Sequence, residues 1–292
     1  MSFISYLING ISLGSVYALI ALGYTMVYGI AKMLNFAHGD IIMVGGFVAF
    51  TAVSRLGLPA LPSVLISILL CVILGVVIER IAYKPLRDAA SLTVLITAIG
   101  VSYFLQNAAL LIFGSGSQTF KSVVSIPSWH INDALTVSGE TIATIVVSFV
   151  IMVALTLFVN KTKAGKAMLA VSEDKGAAQL MGINVNRTIS ITFAIGSGLA
   201  AVAGVLLCST YTQINAYTGA MPGIKAFPAA VFGGIGSIPG AMLGGILLGV
   251  IENLAKAYIS SQMSDGIVFA VLILILLVKP TGLLGKKINK KV

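Results

Sequence analysis

Charge is what this sequence has least of. Only 9% of its 292 residues are Asp, Glu, Lys or Arg, where a soluble domain carries about 25%. That shortage excludes a water-soluble globular domain. Cysteine occurs twice and histidine twice. Cys71 and Cys208 lie inside apolar runs and His38 and His130 are far apart, so neither a disulfide framework nor a metal cluster is expected. There is no G-x-x-x-x-G-K-[ST] phosphate loop, no H-E-x-x-H and no G-x-S-x-G elbow, which argues against ATP binding in the P-loop manner and against a catalytic site of the chain's own. "GSGSQT" at 114–119 and "GGIGSI" at 233–238 imitate fragments of nucleotide motifs, but neither follows a strand or opens a soluble helix. The apolar segments are also nearly bare of the ionisable residues that proton- or sodium-coupled carriers use as relays. Gln106 and Asn107 are polar there but cannot titrate. A conduit driven by energy from elsewhere fits these absences.

What is present is apolar sequence, 58% of the chain. Crossing segments are expected at about 4–30, 41–54, 60–78, 92–113, 141–159, 188–209 and 265–278, with an interrupted stretch at about 227–251. No run shows the ten-residue alternation of a transmembrane β-barrel. The fold class is therefore an all-α polytopic membrane protein of about eight hydrophobic segments, forming one transmembrane domain over 1–292. The net charge of +9 does not imply nucleic acid, because the cations sit in the gaps between apolar runs. Lys32, Arg80, Lys84, Arg87, Lys161, Lys163, Lys166, Lys175, Arg187, Lys279, Lys286, Lys287, Lys290 and Lys291 fall on one side. Arg55, Lys121, Lys225 and Lys256 are left for the other. The rule that cytoplasmic loops carry the cations then places 160–187 inside, the 114–140 loop with Trp129 outside, the N-terminus outside and the C-terminus in the cytoplasm. No Lys or Arg precedes the first apolar run, so a retained signal-anchor is expected.

"FPAAVFGGIGSIPGAMLGGILLGVI", from Phe227, would span about 38 Å as a helix, enough for one passage and far short of two. Gly233, Gly234, Gly236, Pro239 and Gly240 interrupt it, and a re-entrant pair of half-helices is expected, buried so that its broken backbone finds partners. "LNFAHGDIIMVGG", 34–46, is a loose counterpart in the first half. Short, glycine-broken segments in both halves point to a substrate path near mid-membrane, with Asn35, His38, Asp40, Gly233, Gly234 and Gly236 as candidate lining. A plainer reading has Asn35 and Asp40 cap a helix starting near Ile41, with His38 packing at the interface. Glu252 is placed at the outer edge of a helix rather than in the path. Small residues at helical spacing (Gly10 and Gly14; Gly196, Ala200 and Gly204; Gly240 and Gly244; Gly245 and Gly249) allow close helix approach, within this chain or against a second subunit.

One segment is unlike the rest. "SEDKGAAQLMGI", 172–183, reads as a short helix in the most basic loop. Ser172 is a suitable N-cap, Glu173 and Asp174 favour the positive end, and Gly182 is a natural terminator. Ala177, Leu180 and Met181 fall on one side. About nine residues are too few to be helical alone in water. A lipid-surface helix would carry more cations and bulkier apolar residues, so a soluble partner is the better support.

"EDKGAAQLMGI" resembles the coupling-helix signature of ABC-importer membrane subunits, with Glu173, Ala177, Ala178 and Gly182 at matching places. Gly176 departs from it, since a better helix former is expected there. "NFAHGDIIMVGG", "AAQLMGI", "AAVFGGIGSIPGAMLGG" and the tail "LILLVKPTGLLG" resemble the permeases of high-affinity branched-chain amino acid importers along essentially the whole chain. The resemblance implies an ABC-importer permease architecture in a bacterial or archaeal plasma membrane. It implies a sister permease or homodimer, two cytoplasmic ATPase subunits and an extracytoplasmic solute-binding protein. ATP and magnesium would be used by the ATPase, with no cofactor on this chain. Glu173, Asp174, Gly176, Ala177, Ala178, Leu180 and Gly182 would form the ATPase-coupling element, and leucine, isoleucine and valine would be the cargo. The same class carrying urea, amides or another amino acid is the alternative, as is a passive channel for small polar solutes.

Overall fold

The computed structural model describes residues 3–87, 89–132, 135–279 and 281–285. Lys286, Lys287, Lys290 and Lys291 of the expected basic tail lie outside them. Helix α1 covers Phe3–Ala31, α2 His38–Phe50 and α3 Ala60–Ile78. A π-helical turn, Thr51–Arg55, prolongs α2, while α3 runs on through a π turn and a 3-10 turn as far as Leu86. Then come α4 (Ser91–Phe113), α5 (Gly139–Lys161), α6 (Lys163–Glu173), α7 (Lys175–Leu180) and α8 (Val185–Tyr211). The last three are α9 (Ala220–Gly233), α10 (Ile238–Tyr258) and α11 (Ser264–Val278). Two antiparallel ribbons form in the connections: β1 (Gln118–Thr119) pairs with β4 (Gln213–Ile214), and β2 (Trp129–Asn132) with β3 (Leu135–Val137).

The protein is an all-α polytopic membrane fold. Among the described residues, six helices are long and apolar enough to cross a bilayer: α1, extended α3, α4, α5, α8 and α10. The eight expected segments thus resolve into six such helices and shorter ones, α2, α9 and α11. The expectation at 227–251 needs correcting. Helix α9 begins at Ala220, seven residues upstream, and its 14 residues make about 21 Å, less than a crossing. Helix α10 has 21 residues, about 32 Å, which matches a hydrocarbon core of about 30 Å. One short and one full-length helix replace the expected pair of halves. The break is confined to 234–237, where Gly234 and Gly236 take φ of 107° and 89°, open to glycine without penalty. Ser237 then caps α10 by accepting from the Gly240 N–H at 3.2 Å, and Pro239 sits in the first turn, where its missing N–H is tolerated.

The later glycines of that stretch do not break the helix; they are packing seams. A Cβ on Gly245 would fall 2.5 Å from the Ala18 Cα, and one on Gly14 would fall 2.6 Å from the Ile246 Cα. Gly249 and Gly10 continue the same seam, so α1 and α10 lie antiparallel with their backbones nearly touching. Gly240 and Gly244 face Gly233 and Ala229 of α9, Gly204 faces Ile42, and Gly196 faces Gly23. These small-residue stripes therefore meet one another inside this chain. Outward-facing Leu65, Leu69, Ile73, Ile96, Phe104, Phe149 and Leu157 remain exposed, as suits helices solvated by lipid.

The basic connections gather at one end of the bundle. Lys175 Nζ donates to the Ala31 carbonyl at the end of α1 (3.1 Å), and Arg87 donates to Asn186 at the start of α8. Gly236 lies against Gly29, and the backbone of Leu283 and Leu284 donates to the Phe232 and Gly233 carbonyls at 2.7 and 3.0 Å. The two ribbons occupy the other end.

Replacing Gly245 by Val should prevent α1 and α10 from closing and abolish monodisperse protein in size-exclusion chromatography. Gly100→Ala on α4, where an added Cβ meets nothing within 4 Å, should behave as wild type. Normal behaviour of Gly245→Val would refute the seam.

Candidate functional site

Two regions draw together residues that the sequence singled out. The first is the interior junction of α2 and α9. Helix α2 starts at His38, N-capped by Ala37 with no side-chain hydrogen bond, so Asn35 and Asp40 are not its caps. Their side chains reach elsewhere. Asn35 Oδ1 accepts from the Tyr83 hydroxyl at 2.8 Å, and an Asp40 carboxylate oxygen accepts from Gln106 Nε2 at 2.9 Å. His38 packs edge-on against Tyr24, centroids 4.8 Å apart, in the notch left by Gly23. All three are buried, and His38 Nε2 has no hydrogen-bond partner among the described residues. Gly23 lies eight residues before the end of α1, so α2 begins about 12 Å inside the end of that helix. The start of α9 meets it there: a Cβ on Gly39 would come 2.7 Å from the Gly219 carbonyl, and one on Gly223 the same distance from the Gly39 Cα. Gly233, Gly234 and Gly236 are not at this junction. They form the turn at the far end of α9, sealed by residues 281–285.

Near the α9 start lies a charge cluster that sequence reading missed. Lys225 Nζ lies 2.9 Å from Glu252 Oε1 and 2.6 Å from Asp265 Oδ1. Lys256 Nζ is 2.6 Å from the same Glu252 oxygen, and Tyr17 donates its hydroxyl to Glu252 Oε2 at 2.8 Å. Glu252 is 1% exposed, so it faces the bundle interior rather than the outer edge. The i, i+4 spacing of Glu252 and Lys256 was the available signal; Lys225 lay in a stretch read as a loop. The cluster ties α1, α9, α10 and α11 together, and charges so buried persist only when paired.

The second region is the connection at 162–183, where the coupling element was expected. Helix α6 is capped by Thr162, which accepts from the Gly165 N–H at 3.0 Å, and it buries Met168 and Val171. Ser172 does not cap the next helix, because its hydroxyl bonds back to the Leu169 carbonyl at 2.7 Å. The run of helix formers from Lys163 carries α6 through Glu173. Asp174 then turns extended and caps α7, accepting from the Gly176 and Ala177 N–H groups at 2.7 and 3.0 Å. Gly176 suits that cap: a Cβ there would stand 3.3 Å from the Asp174 oxygen. Of the apolar residues, Ala178 faces inward at 4% exposure, whereas Leu180 and Met181 are 90% and 82% exposed. Gly182, with φ 80°, ends the helix. A cleft of about 480 Å³ beside it is lined by Arg87, Lys175, Gly176, Gln179 and Asn186 among others.

The family described as "Branched-chain amino acid transport system / permease component" matches residues 6–276. The chain is 46% identical to the high-affinity branched-chain amino acid transport system permease protein LivH of Salmonella typhimurium, over 99% of this chain and 98% of that one. It is 45% identical to the permease protein BraD of the same kind of system in Pseudomonas aeruginosa, over the same shares. Among solved structures, PsaBC from Streptococcus pneumoniae in complex with Fab aligns with a TM-score of 0.49 and 16% identity, over 95% of this chain and 92% of that one, too distant to carry an argument.

Removing Lys225 leaves the buried Glu252 with the partly exposed Lys256 as its counter-ion, and breaking a buried ion pair costs up to about 3–5 kcal/mol. Lys225→Met should therefore lower the thermal-denaturation midpoint more than Lys225→Met combined with Glu252→Gln. A double variant less stable than the single one would refute this account of the cluster.

Proposed function

Because this chain belongs to the branched-chain amino acid transport system permease family, we propose that its transport is driven through α7 by a separate ATPase. The chain is a multi-pass transport permease of the ABC class and not an enzyme. Leucine, isoleucine and valine are the proposed cargo, after the relatives. The proposed assembly adds a sister permease, two ATPase subunits that use ATP and magnesium, and an extracytoplasmic binding protein. The basic end of the bundle is the cytoplasmic one in this reading, by the same rule that sorts cations in membrane proteins; the N-terminus is then outside.

The observation that carries the reading is the exposure of Leu180 and Met181, at 90% and 82%. They stand on a helix of six residues that could not be stable in water on its own. Two large apolar side chains presented to water at a helix tip suit a pocket on a partner protein. The helix is rooted on its other side. Ala178 is buried, Lys175 grips the end of α1, and the Ile183 N–H donates to the Ala178 carbonyl at 3.0 Å. A push on Leu180 and Met181 would reach α1 and α8 directly. Within the membrane, the α2–α9 junction is the proposed wall of the path, with Asn35, His38 and Asp40 on α2 and its approach, and Gly39, Gly219 and Gly223 at the crossing. The turn at Gly233, Gly234 and Gly236 serves as its hinge.

Docking is tested on the exposed face. Leu180→Asp and Met181→Asp should each weaken ATPase association by about thirty-fold, equivalent to about 2 kcal/mol, and remove ATP-dependent leucine uptake in proteoliposomes holding all the subunits. Ala178→Arg should instead disturb the folding of the loop. Retained uptake in both Asp variants, or full-rate uptake by this chain alone without nucleotide, would refute the coupling role.

A further inference from the structure

A second groove, of about 520 Å³, opens at the α7 end of the bundle, between the extension of α3 and the first turns of α8. That size lies within the range of about 300–1,000 Å³ found for ligand clefts. Its character is divided. Arg80, Lys84 and Arg187 contribute cationic side chains, all exposed, while Val76, Ile191 and Ala194 provide a half-buried apolar wall.

The three cations lack an acidic partner among the described residues. Glu79, the nearest carboxylate in sequence to Arg80, is engaged by other groups, one of them the groove-lining Ser190. It is fully buried, with one oxygen held by Arg87 and the other by the Ser190 hydroxyl at 2.7 Å. Like charges around one hollow repel, and an anion placed between them relieves that repulsion. The apolar wall says which kind of anion. Ile73, Val77 and Ile81 on the same helix and its extension are 50%, 42% and 73% exposed, so the helix that forms one side of the groove also presents a lipid-facing flank. A small soluble anion needs no such wall, and an acidic protein surface would not lie along a lipid-facing flank. Basic hollows of this kind between membrane helices suit lipid headgroups.

We propose that this groove binds an anionic phospholipid, its phosphodiester among Arg80, Lys84 and Arg187 and an acyl chain along Val76, Ile191 and Ala194. Asn184 and Asn186 line both this groove and the cleft beside α7. A lipid seated here braces the start of α8 against the coupling element, and membrane composition then bears on how firmly that element is held.

The test uses the full chain in its assembled transporter, exchanged into micelles with equal amounts of phosphatidylglycerol and phosphatidylcholine and weighed by native mass spectrometry. Wild-type protein should retain phosphatidylglycerol in preference. Retention should fall roughly five-fold for each cation removed in Arg80→Gln, Lys84→Gln and Arg187→Gln. Ala194→Phe should lower it by filling the wall without altering charge. Arg55→Gln with Lys121→Gln, at the other end, should leave it unchanged. Equal retention of the two lipids, or undiminished retention in the triple variant and in Ala194→Phe, overturns the proposal. Displacement by millimolar inorganic phosphate would assign the groove to a soluble anion. Loss of the ATPase from the triple variant with lipid retention intact would assign it to a protein interface. Either result also overturns the proposal, and neither touches the coupling role of Leu180 and Met181.

Discussion

Lipid offers no hydrogen bonds, so every backbone group at membrane depth must find its partner in protein. This chain starts two helices, α2 and α9, away from the ends of the bundle, and each start leaves N–H groups that would be costly in hydrocarbon. The rest of the architecture accommodates them. Helices α1 and α8 wrap the α2 start, and α10 closes on α1 along a seam so tight that a single Cβ at Gly14 or Gly245 would collide with backbone. Between α2 and α9 the crossing is made by Gly39, Gly219 and Gly223, where side chains would hold the two starts apart. Hydrophobic burial cannot drive such contacts inside a membrane, because lipid tails are as apolar as leucine. Close packing takes over that role, which is why glycine, 31 residues of the chain, is concentrated at these crossings.

Charge follows the same constraint. Glu252 sits almost without exposure, surrounded by Lys225, Lys256 and the Tyr17 hydroxyl. Such a cluster contributes little net stability over an apolar replacement. What it does provide is registration: Lys225 is the only cation of α9, and it can reach both Glu252 and Asp265 at one relative placement of α9, α10 and α11. This grip adds to the glycine contacts that α9 makes with α2 and α10.

The sequence made the class and the sidedness of the charges readable, because both depend on composition along the chain rather than on contacts. The scarcity of charge required lipid, and the cations grouped between Arg80 and Arg87, and between Lys161 and Arg187, indeed come to one end. The short helix within 172–183 was legible in place, yet not in detail. Ser172 and Asp174 are both good caps, and only the folded chain shows that the hydroxyl of Ser172 is engaged within α6 while Asp174 turns extended. Likewise Ala177, Leu180 and Met181 shared a face on the helical wheel, but the residue that faces inward is Ala178. The wheel gives relative angles and cannot say which direction is down. The α9 start and the Lys225 cluster were out of reach for another reason: 220–226 carries a proline, a glycine and a lysine, which read as loop, and their partners are distant in sequence.

Helix α1 joins these parts. Its last carbonyl holds Lys175 of α7, Gly23 and Tyr24 hold His38 at the head of α2, Gly14 and Ala18 meet α10, and Tyr17 meets Glu252. It is one unbroken helix of 29 residues without proline or charge, and a displacement at one end would be carried along it. A stroke delivered to α7 would not need a chain of flexible contacts to reach the α2–α9 junction. It would move a rod on which the junction, the seam and the charge cluster are all mounted. On the proposed reading, the elements to respond would be the two short helices α2 and α9, bending at the π turn after Phe50 and the glycine turn at 234–237.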